Sequence, residues 1–401
     1  MPDTCGYASR VRKLGGAILV LLAIAGCGRP QASSSGSPSP TSVATESPNL
    51  SNSPSPTSSP VAVPDPKLTC TTLPVPRDPL LLMSGAISGL YVLDVADPLR
   101  PVQVCQLLNA TSGRFVSATK IVFWYSTFVG TADLQSGSLN WSRAWVNAPM
   151  AVVFSPDGSN WAYREGDDSG VRTHLVIGGK DQVVLTRGPV GGHGGVPWGP
   201  VSQLAFSASG QYLLTYTLFG DAGGPPNFIV YAMDGTVAFQ STTAKFGMWD
   251  RSGNRLYFLA ATAVGETSGT VVSWDPGGQP IARSAKISSY FWPTLSPDGK
   301  TLVFNTYGAQ SFPHPWRLVI ASRVKAQVAS ATSTQPVFIG PDVIWSNEGI
   351  PCACGIGGTS APDGRVIAHN VRTGVNSVVL GIANLTPSTS PTEDIVDVWF
   401  G

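Results

Sequence analysis

The sequence predicts an all-β chain: a seven-bladed β-propeller of four-stranded antiparallel blades, with six or eight blades as the alternatives. Three observations predict it. Short runs of alternating apolar residues, separated by turns rich in Gly, Pro, Asp and Ser, fill residues 68–401. One of these turns recurs in phase along the chain. Each recurrence opens a unit with room for four strands, at about 45 residues per unit, which is the propeller spacing.

The recurring turn aligns on glycine. FSPDG (Phe154 to Gly158), FSASG (Phe206 to Gly210), WDRSG (Trp249 to Gly253) and LSPDG (Leu295 to Gly299) each place a large apolar residue four positions before the glycine, at periods of 52, 43 and 46 residues. Three positions after the glycine stand Trp161, Leu213, Leu256 and Leu302, and two further on stand Tyr163, Thr215, Phe258 and Phe304. This is a strand, a tight turn and a second strand: proline fixes φ at the first corner, Asp or Ser supplies a local hydrogen bond, and glycine takes the left-handed conformation. Two stacked β-sandwich domains would not hold such a period in phase.

At the amino terminus, Arg10, Arg12 and Lys13 precede an apolar run from Leu14 to Ala25 that is short for a bilayer span, so residues 1–26 read as an export signal. Ile24-Ala25-Gly26-Cys27 resembles the lipobox of bacterial lipoproteins. By that resemblance Cys27 becomes the first mature residue and carries lipid, a tether to the outer side of a bacterial membrane rather than a span. Residues 27–67 are dominated by Ser, Pro and Thr, a composition that buries too little apolar surface to offset ordering. They read as a disordered stalk of about 35 Å as a flexible coil and roughly 120 Å at full polyproline extension.

Three strands follow, Pro79 to Ser84, Gly89 to Val95 and Pro101 to Leu107, matching the second to fourth of a blade. The next unit runs from Arg114 to Val146, and the four aligned units come after it. A last unit, Pro336 to Leu380, holds an insertion. The chain then closes with DIVDVWFG, an alternating strand with no neighbour in sequence to pair with. It has the form of a first strand, and the opening unit lacks that strand alone, so Ile395 to Phe400 is expected to pair with Pro79 to Ser84 and close the ring three-plus-one.

FSPDGSNWAY and LSPDGKTLVF resemble the WD40-like repeat of TolB-type propellers, and GLYVLDVADP (Gly89 to Pro98) resembles the LVIVD repeat of other bacterial surface propellers. The resemblance implies a scaffold for protein or ligand binding and no single activity.

Lys and Arg number 25 against 24 Asp and Glu, a formal net charge of +1, which argues against nucleic acid as a partner. With Cys5 in the signal and Cys27 lipidated, Cys70, Cys105, Cys352 and Cys354 are left for disulfides. Three pairings are possible, with Cys70–Cys105 preferred. The Cys352-Ala353-Cys354 spacing lacks the geometry of a zinc or redox pair, and no metal or cofactor is expected.

No nucleophile elbow, H-E-x-x-H, P-loop or Rossmann pattern is present, so no catalytic residue is assigned. His174 and His369 lie in strand-like runs and read as structural. Gly191 to Gly195 (GGHGG) lacks the lysine and helix of a phosphate cradle, and Glu165, Asp167 and Asp168 lack alternating calcium-ligand spacing. Loop length is more informative. Arg187 to Pro200, Phe219 to Pro226, Gly308 to Pro315 and Asn347 to Gly364 all fall on the face that carries second-to-third and blade-to-blade connections. They bring His193, Trp198, Phe219, Asp221, Phe312, His314 and Trp316 to that face, aromatic and polar groups suited to an envelope protein or small ligand. The expectation is a monomeric, lipid-anchored binding module. The alternative is a propeller enzyme, a lyase or hydrolase with its site in the central channel, and it would show converging His and carboxylate groups there where a binding module would show an aromatic plateau.

Overall fold

The computed structural model describes residues 65–71, 79–84, 89–167, 170–187, 203–216, 228–251, 253–263, 266–307, 313–328, 333–348, 350–351, 359–360, 365–380 and 395–400. Every regular element among them is a β-strand, and all ladders are antiparallel. They form seven blades. Blade 1 takes its first strand from Ile395–Trp399 and continues with Leu80–Ser84, Gly89–Asp94 and Val102–Leu108. Blades 2 to 6 run in simple sequence order from Ser112–Ser117 through Val324–Gln327. Blade 7 is Ser333–Phe338, Val343–Glu348, Val366–Asn370 and Asn376–Val378, and its insertion holds a small ladder between Ile350–Pro351 and Thr359–Ser360.

Second strands are covered on both faces by neighbouring blades and so read as continuous apolar runs: Leu80 to Met83 and Ile121 to Trp124 are buried throughout. Fourth strands face outward on one side, and Val237, Ile281 and Val324 are exposed. Seven hydrophobic clusters fill the seven interblade spaces, from Phe115, Phe123 and Leu90 between blades 1 and 2 to Val398, Trp345 and Leu81 between blades 7 and 1. Each fully buried Leu or Phe in them contributes about 1.5–3 kcal/mol.

The repeated turn owes its rigidity to its serine. In blade 6, Ser296 Oγ donates to Asp298 at 2.6 Å and accepts from the Thr301 amide at 2.9 Å, while Gly299 N donates to the Ser296 carbonyl. Ser155 repeats this in blade 3 with Asp157 and Asn160, and Ser207 in blade 4 with Tyr212. All three serines are buried. Gly158 has φ +71°, and a Cβ there would also lie 2.5 Å from Val122 of blade 2, so conformation and packing both require glycine.

Closure follows the expected three-plus-one scheme: Leu80 pairs with Trp399, Leu81 with Val398 and Leu82 with Asp397. The blade is one strand larger than expected, because Lys67–Cys70 adds a fifth strand along Val102–Leu108 and places Cys70 opposite Cys105. Those two cysteines form a disulfide. The extra strand covers what would otherwise be an open sheet edge.

Candidate functional site

First strands of neighbouring blades touch one another at five of the seven blade junctions, so they line the central axis. Their two ends differ chemically. At the turn end, Arg251 of blade 5 donates from Nη1 to the Val398 carbonyl of blade 1 at 3.1 Å and lies 4.3 Å over the Phe400 ring. Blades 5 and 1 are three steps apart around the ring, so this side chain crosses the channel. Asp397 accepts from the Phe115 amide of blade 2 at 2.9 Å, and Arg114 donates to the Phe154 carbonyl of blade 3. Arg251 keeps surface open to water yet is enclosed by protein: desolvation lowers its pKa, Asp397 opposes that, and the Arg114 charge adds to it. Arg251 and Asp397 thus fasten the closing strand, and Arg114 ties blade 2 to blade 3.

At the opposite end, where the long connections emerge, the first strands of blades 5, 6 and 7 carry a β-bulge at one equivalent place. The ladders shift between Lys245 and Met248, Phe291 and Thr294, and Thr334 and Val337. At each bulge a residue other than glycine is left-handed: Phe246 (φ +53°), Trp292 (φ +44°) and Gln335 (φ +52°). Each stands three positions before the strand's closing apolar residue, Trp249, Leu295 or Phe338, and is followed by Gly247, Pro293 or Pro336. Bulky residues in this region are true outliers, and bulges of this kind re-aim side chains beside sites.

The bulges gather aromatic rings. Phe246 lies 6.0 Å from Tyr216, 5.9 Å from Tyr290 and 5.7 Å from Phe291, and Phe291 lies 5.9 Å from Trp292. Both tyrosine hydroxyls are buried without a hydrogen-bond partner among the described residues, and burial raises the pKa of each. Lys245, next to Phe246, is only 4% exposed, although its amine is not among the fully enclosed, unpartnered atoms. Burial lowers its pKa, with the Glu266 charge opposing. The Glu266 carboxylate is itself held by the hydroxyls of Thr262 and Ser268.

Of the residues expected on this face, His193, Trp198, Phe219, Asp221 and Phe312 lie outside the described residues, as do Cys27, Cys352 and Cys354. His314 and Trp316 belong to the strand Pro313–Val319 instead of a loop. Trp316 is half-buried against the blade 5–6 cluster, with the Lys325 amine 4.2 Å above its ring. It stands in the third strand of blade 6, opposite Phe304. The bulged positions escaped the sequence reading; their signal was an apolar or polar residue followed by Gly or Pro inside a first strand.

Two further polar networks resemble chemistry. In blade 7, Ser346 Oγ lies 2.6 Å from His369 Nε2, and His369 Nδ1 lies 2.7 Å from Asn376 Oδ1, in the order of a nucleophile, base and orienting group. Ser346 and His369 are both 0% exposed, so no acyl substrate reaches them, and desolvation lowers the His369 pKa. The network ties three strands together. In blade 3, His174 stacks on Tyr163 and meets Asp181 at 3.0 Å and Glu165 at 3.1 Å, and Arg172 pairs with Glu165 at 2.9 Å. Glu165 is therefore a strand residue engaged in cross-strand pairing. Among the described residues no group of three or more His, Cys, Asp or Glu is arranged to hold a metal ion.

No family model matches the chain, and no curated protein matches it. Solved propellers are similar in fold. TolB from Acinetobacter baumannii is 15% identical with a TM-score of 0.38, over 62% of this chain and 62% of that one. The chain thus spans about three-fifths of the length of that protein. The Swd1 β-propeller domain from Myceliophteria thermophila is 11% identical, with a TM-score of 0.42 over 67% of this chain and 89% of that one. The acylaminoacyl peptidase of Pyrococcus horikoshii is 10% identical, with a TM-score of 0.43 over 68% of this chain and 46% of that one.

Proposed function

We propose that the protein is an exported lipoprotein, anchored through Cys27, whose Ser/Pro/Thr stalk (residues 27–67) displays the propeller for binding a protein or ligand at the cell envelope. The observation that carries the binding reading is the asymmetry of the channel. Its turn end is crossed by Arg251, while its other end presents the bulged aromatic cluster of Phe246, Phe291 and Trp292. Rigid aromatic surface around a few polar groups is the composition of a recognition site. The polar groups at the turn end that a channel enzyme would use are Arg114, Arg251 and Asp397; Arg251 and Asp397 are occupied with the closing strand and Arg114 with the Phe154 carbonyl of blade 3.

The reading has a direct test. Trp292→Ala and Trp198→Ala, each checked for an unchanged unfolding midpoint, are expected to lower capture of envelope partners by the immobilised protein at least several-fold. Full capture by both variants would remove the loop face as the binding surface. The anchor is tested separately: incorporation of a palmitate analogue should vanish in Cys27→Ser, and its retention would refute the attachment site.

A further inference from the structure

Two of the repeated turns contain an Asp–Gly bond, Asp157–Gly158 and Asp298–Gly299, and this linkage is open to a spontaneous modification. Glycine has no Cβ to hinder its own backbone nitrogen, which attacks the Cγ of the preceding aspartate. A C–N bond forms, the Cγ–OH bond breaks and water leaves. Hydrolysis of the resulting imide at its other carbonyl then puts the Asp methylene into the main chain as isoaspartate. Water is the only co-reactant, consumed in the second step as it was released in the first. We infer that the buried turn serines, Ser155 and Ser296, guard these two bonds against isoaspartate formation, a chemical task separate from holding the turn.

The serine occupies both reacting groups at once. In blade 6, Asp298 Oδ1 accepts from Ser296 Oγ at 2.6 Å and from the Lys300 amide at 3.0 Å, and the Lys300 amine lies 3.4 Å from Oδ2. The Gly299 amide, which would be the nucleophile, donates to the Ser296 carbonyl at 2.9 Å. Blade 3 repeats the arrangement. Asp157 Oδ1 accepts from Ser155 Oγ at 2.5 Å and from the Ser159 amide at 3.1 Å, Ser159 Oγ donates to Oδ2 at 2.7 Å, and the Gly158 amide donates to the Ser155 carbonyl at 2.9 Å. Cyclisation proceeds through the neutral carboxyl, whose OH departs, and the serine hydrogen bond lowers the pKa of both aspartates and keeps them charged. Each serine is 1% exposed, so the guard is itself fixed by the core. The Asp234–Gly235 bond of blade 4 has no such serine: its carboxylate is held by the amide and hydroxyl of Thr236, an exposed residue.

Neither corner has room for the lesion. A Cβ at Gly158 would lie 2.5 Å from Val122 of blade 2, and one at Gly299 would lie 3.2 Å from the Asp250 carboxylate of blade 5. One more backbone atom in either turn therefore presses on the neighbouring blade.

The test ages the folded full chain at physiological temperature and neutral pH, and reads isoaspartate at Asp157 and Asp298 by tandem mass spectrometry, with the same chain unfolded in urea as reference. Both sites are expected to isomerise at least several-fold more slowly in the folded protein. Ser296→Ala should accelerate Asp298 roughly tenfold, the order of one lost hydrogen bond to a charged group, and leave Asp157 at its wild-type rate. Ser155→Ala should do the reverse. The inference is overturned if the wild-type sites age as fast folded as in urea, if the serine variants age at wild-type rates, or if either variant accelerates both sites together, which would mark a loss of fold instead of a loss of the guard.

Discussion

The two ends of the channel are built from the same repeat and hold their backbone in different ways. At the turn end side chains hold the backbone: Ser155 and Ser296 each serve an Asp and a backbone amide of their own repeat, while Asp397, bonded to blade 2, and Arg251, reaching from blade 5, fasten the last strand. At the loop end three successive blades hold left-handed residues other than glycine, and Phe246 gathers the rings of Tyr216, Tyr290 and Phe291. The difference teaches where stability and recognition are placed. Local hydrogen bonding makes a scaffold rigid, and strained backbone is tolerated where it serves a site.

The largest effect should come from unfastening the turn end. Deleting residues 394–401 removes the inner strand of blade 1, its pairing with Leu80–Ser84 and the Val398 contact in the blade 7–1 cluster. The truncated chain is expected to lose its single cooperative thermal transition, and a calorimetric trace unchanged from the full chain would contradict the clasp. Next in size are the turn serines. Ser296→Ala leaves Asp298 and the Thr301 amide without their partner at a buried site, and a loss of about 1–3 kcal/mol is expected from denaturant unfolding. Ligand capture should not change, because the turn lies at the far end of the channel. The Ser296 hydrogen bond also lowers the Asp298 pKa, so its contribution is present above the ordinary carboxylate range and is lost as the pH falls through the lowered value; Ser296→Ala should flatten that acid slope.

The turn end was readable from sequence because its geometry is local. Five consecutive residues fix the Ser-Pro-Asp-Gly corner, and its recurrence counted the blades. The closing strand was readable for a different reason: the opening unit was short by one strand, and the last segment had no neighbour. The fifth strand of blade 1 was hidden, since Lys67 to Cys70 is four residues long and only half-buried, and it gains its place from pairing with Val102–Leu108 and from the Cys70–Cys105 bond. The loop end was legible only in outline. Loop lengths drew attention to this face, but Phe246, Trp292 and Gln335 look like ordinary strand residues until the ladder shift is seen. The Ser346–His369–Asn376 network was likewise unreadable, because its members come together only through strand register.

A smaller and opposite effect is expected at the loop end. Lys245→Met replaces a largely buried cation, whose desolvation the Glu266 charge only partly offsets, with an apolar chain of similar length, and should raise stability by up to about 1 kcal/mol. The pH dependence supplies an independent sign. Burial lowers the folded-state pKa of Lys245, so between that value and the ordinary lysine value the unfolded chain binds more protons and stability rises with pH. The wild-type protein should therefore gain stability on the approach to pH 10, and Lys245→Met should remove that gain. A variant that is less stable at neutral pH would show that Lys245 is already satisfied.

The smallest effect tests whether the bulges are held for binding. Gln335 is left-handed at φ +52°, and it accepts a hydrogen bond from Asn347 Nδ2 at 2.8 Å. Gln335→Gly removes the steric cost of that conformation, worth about 1 kcal/mol, and forfeits a hydrogen bond of about the same size. The two nearly cancel, so the unfolding midpoint should move by less than about 0.5 kcal/mol in either direction. Capture of a partner should fall more than stability does, because glycine frees the strand entrance that the bulge keeps fixed. If instead both quantities are unchanged, the blade 7 bulge is a packing device, and recognition belongs to the Phe246 and Trp292 bulges alone.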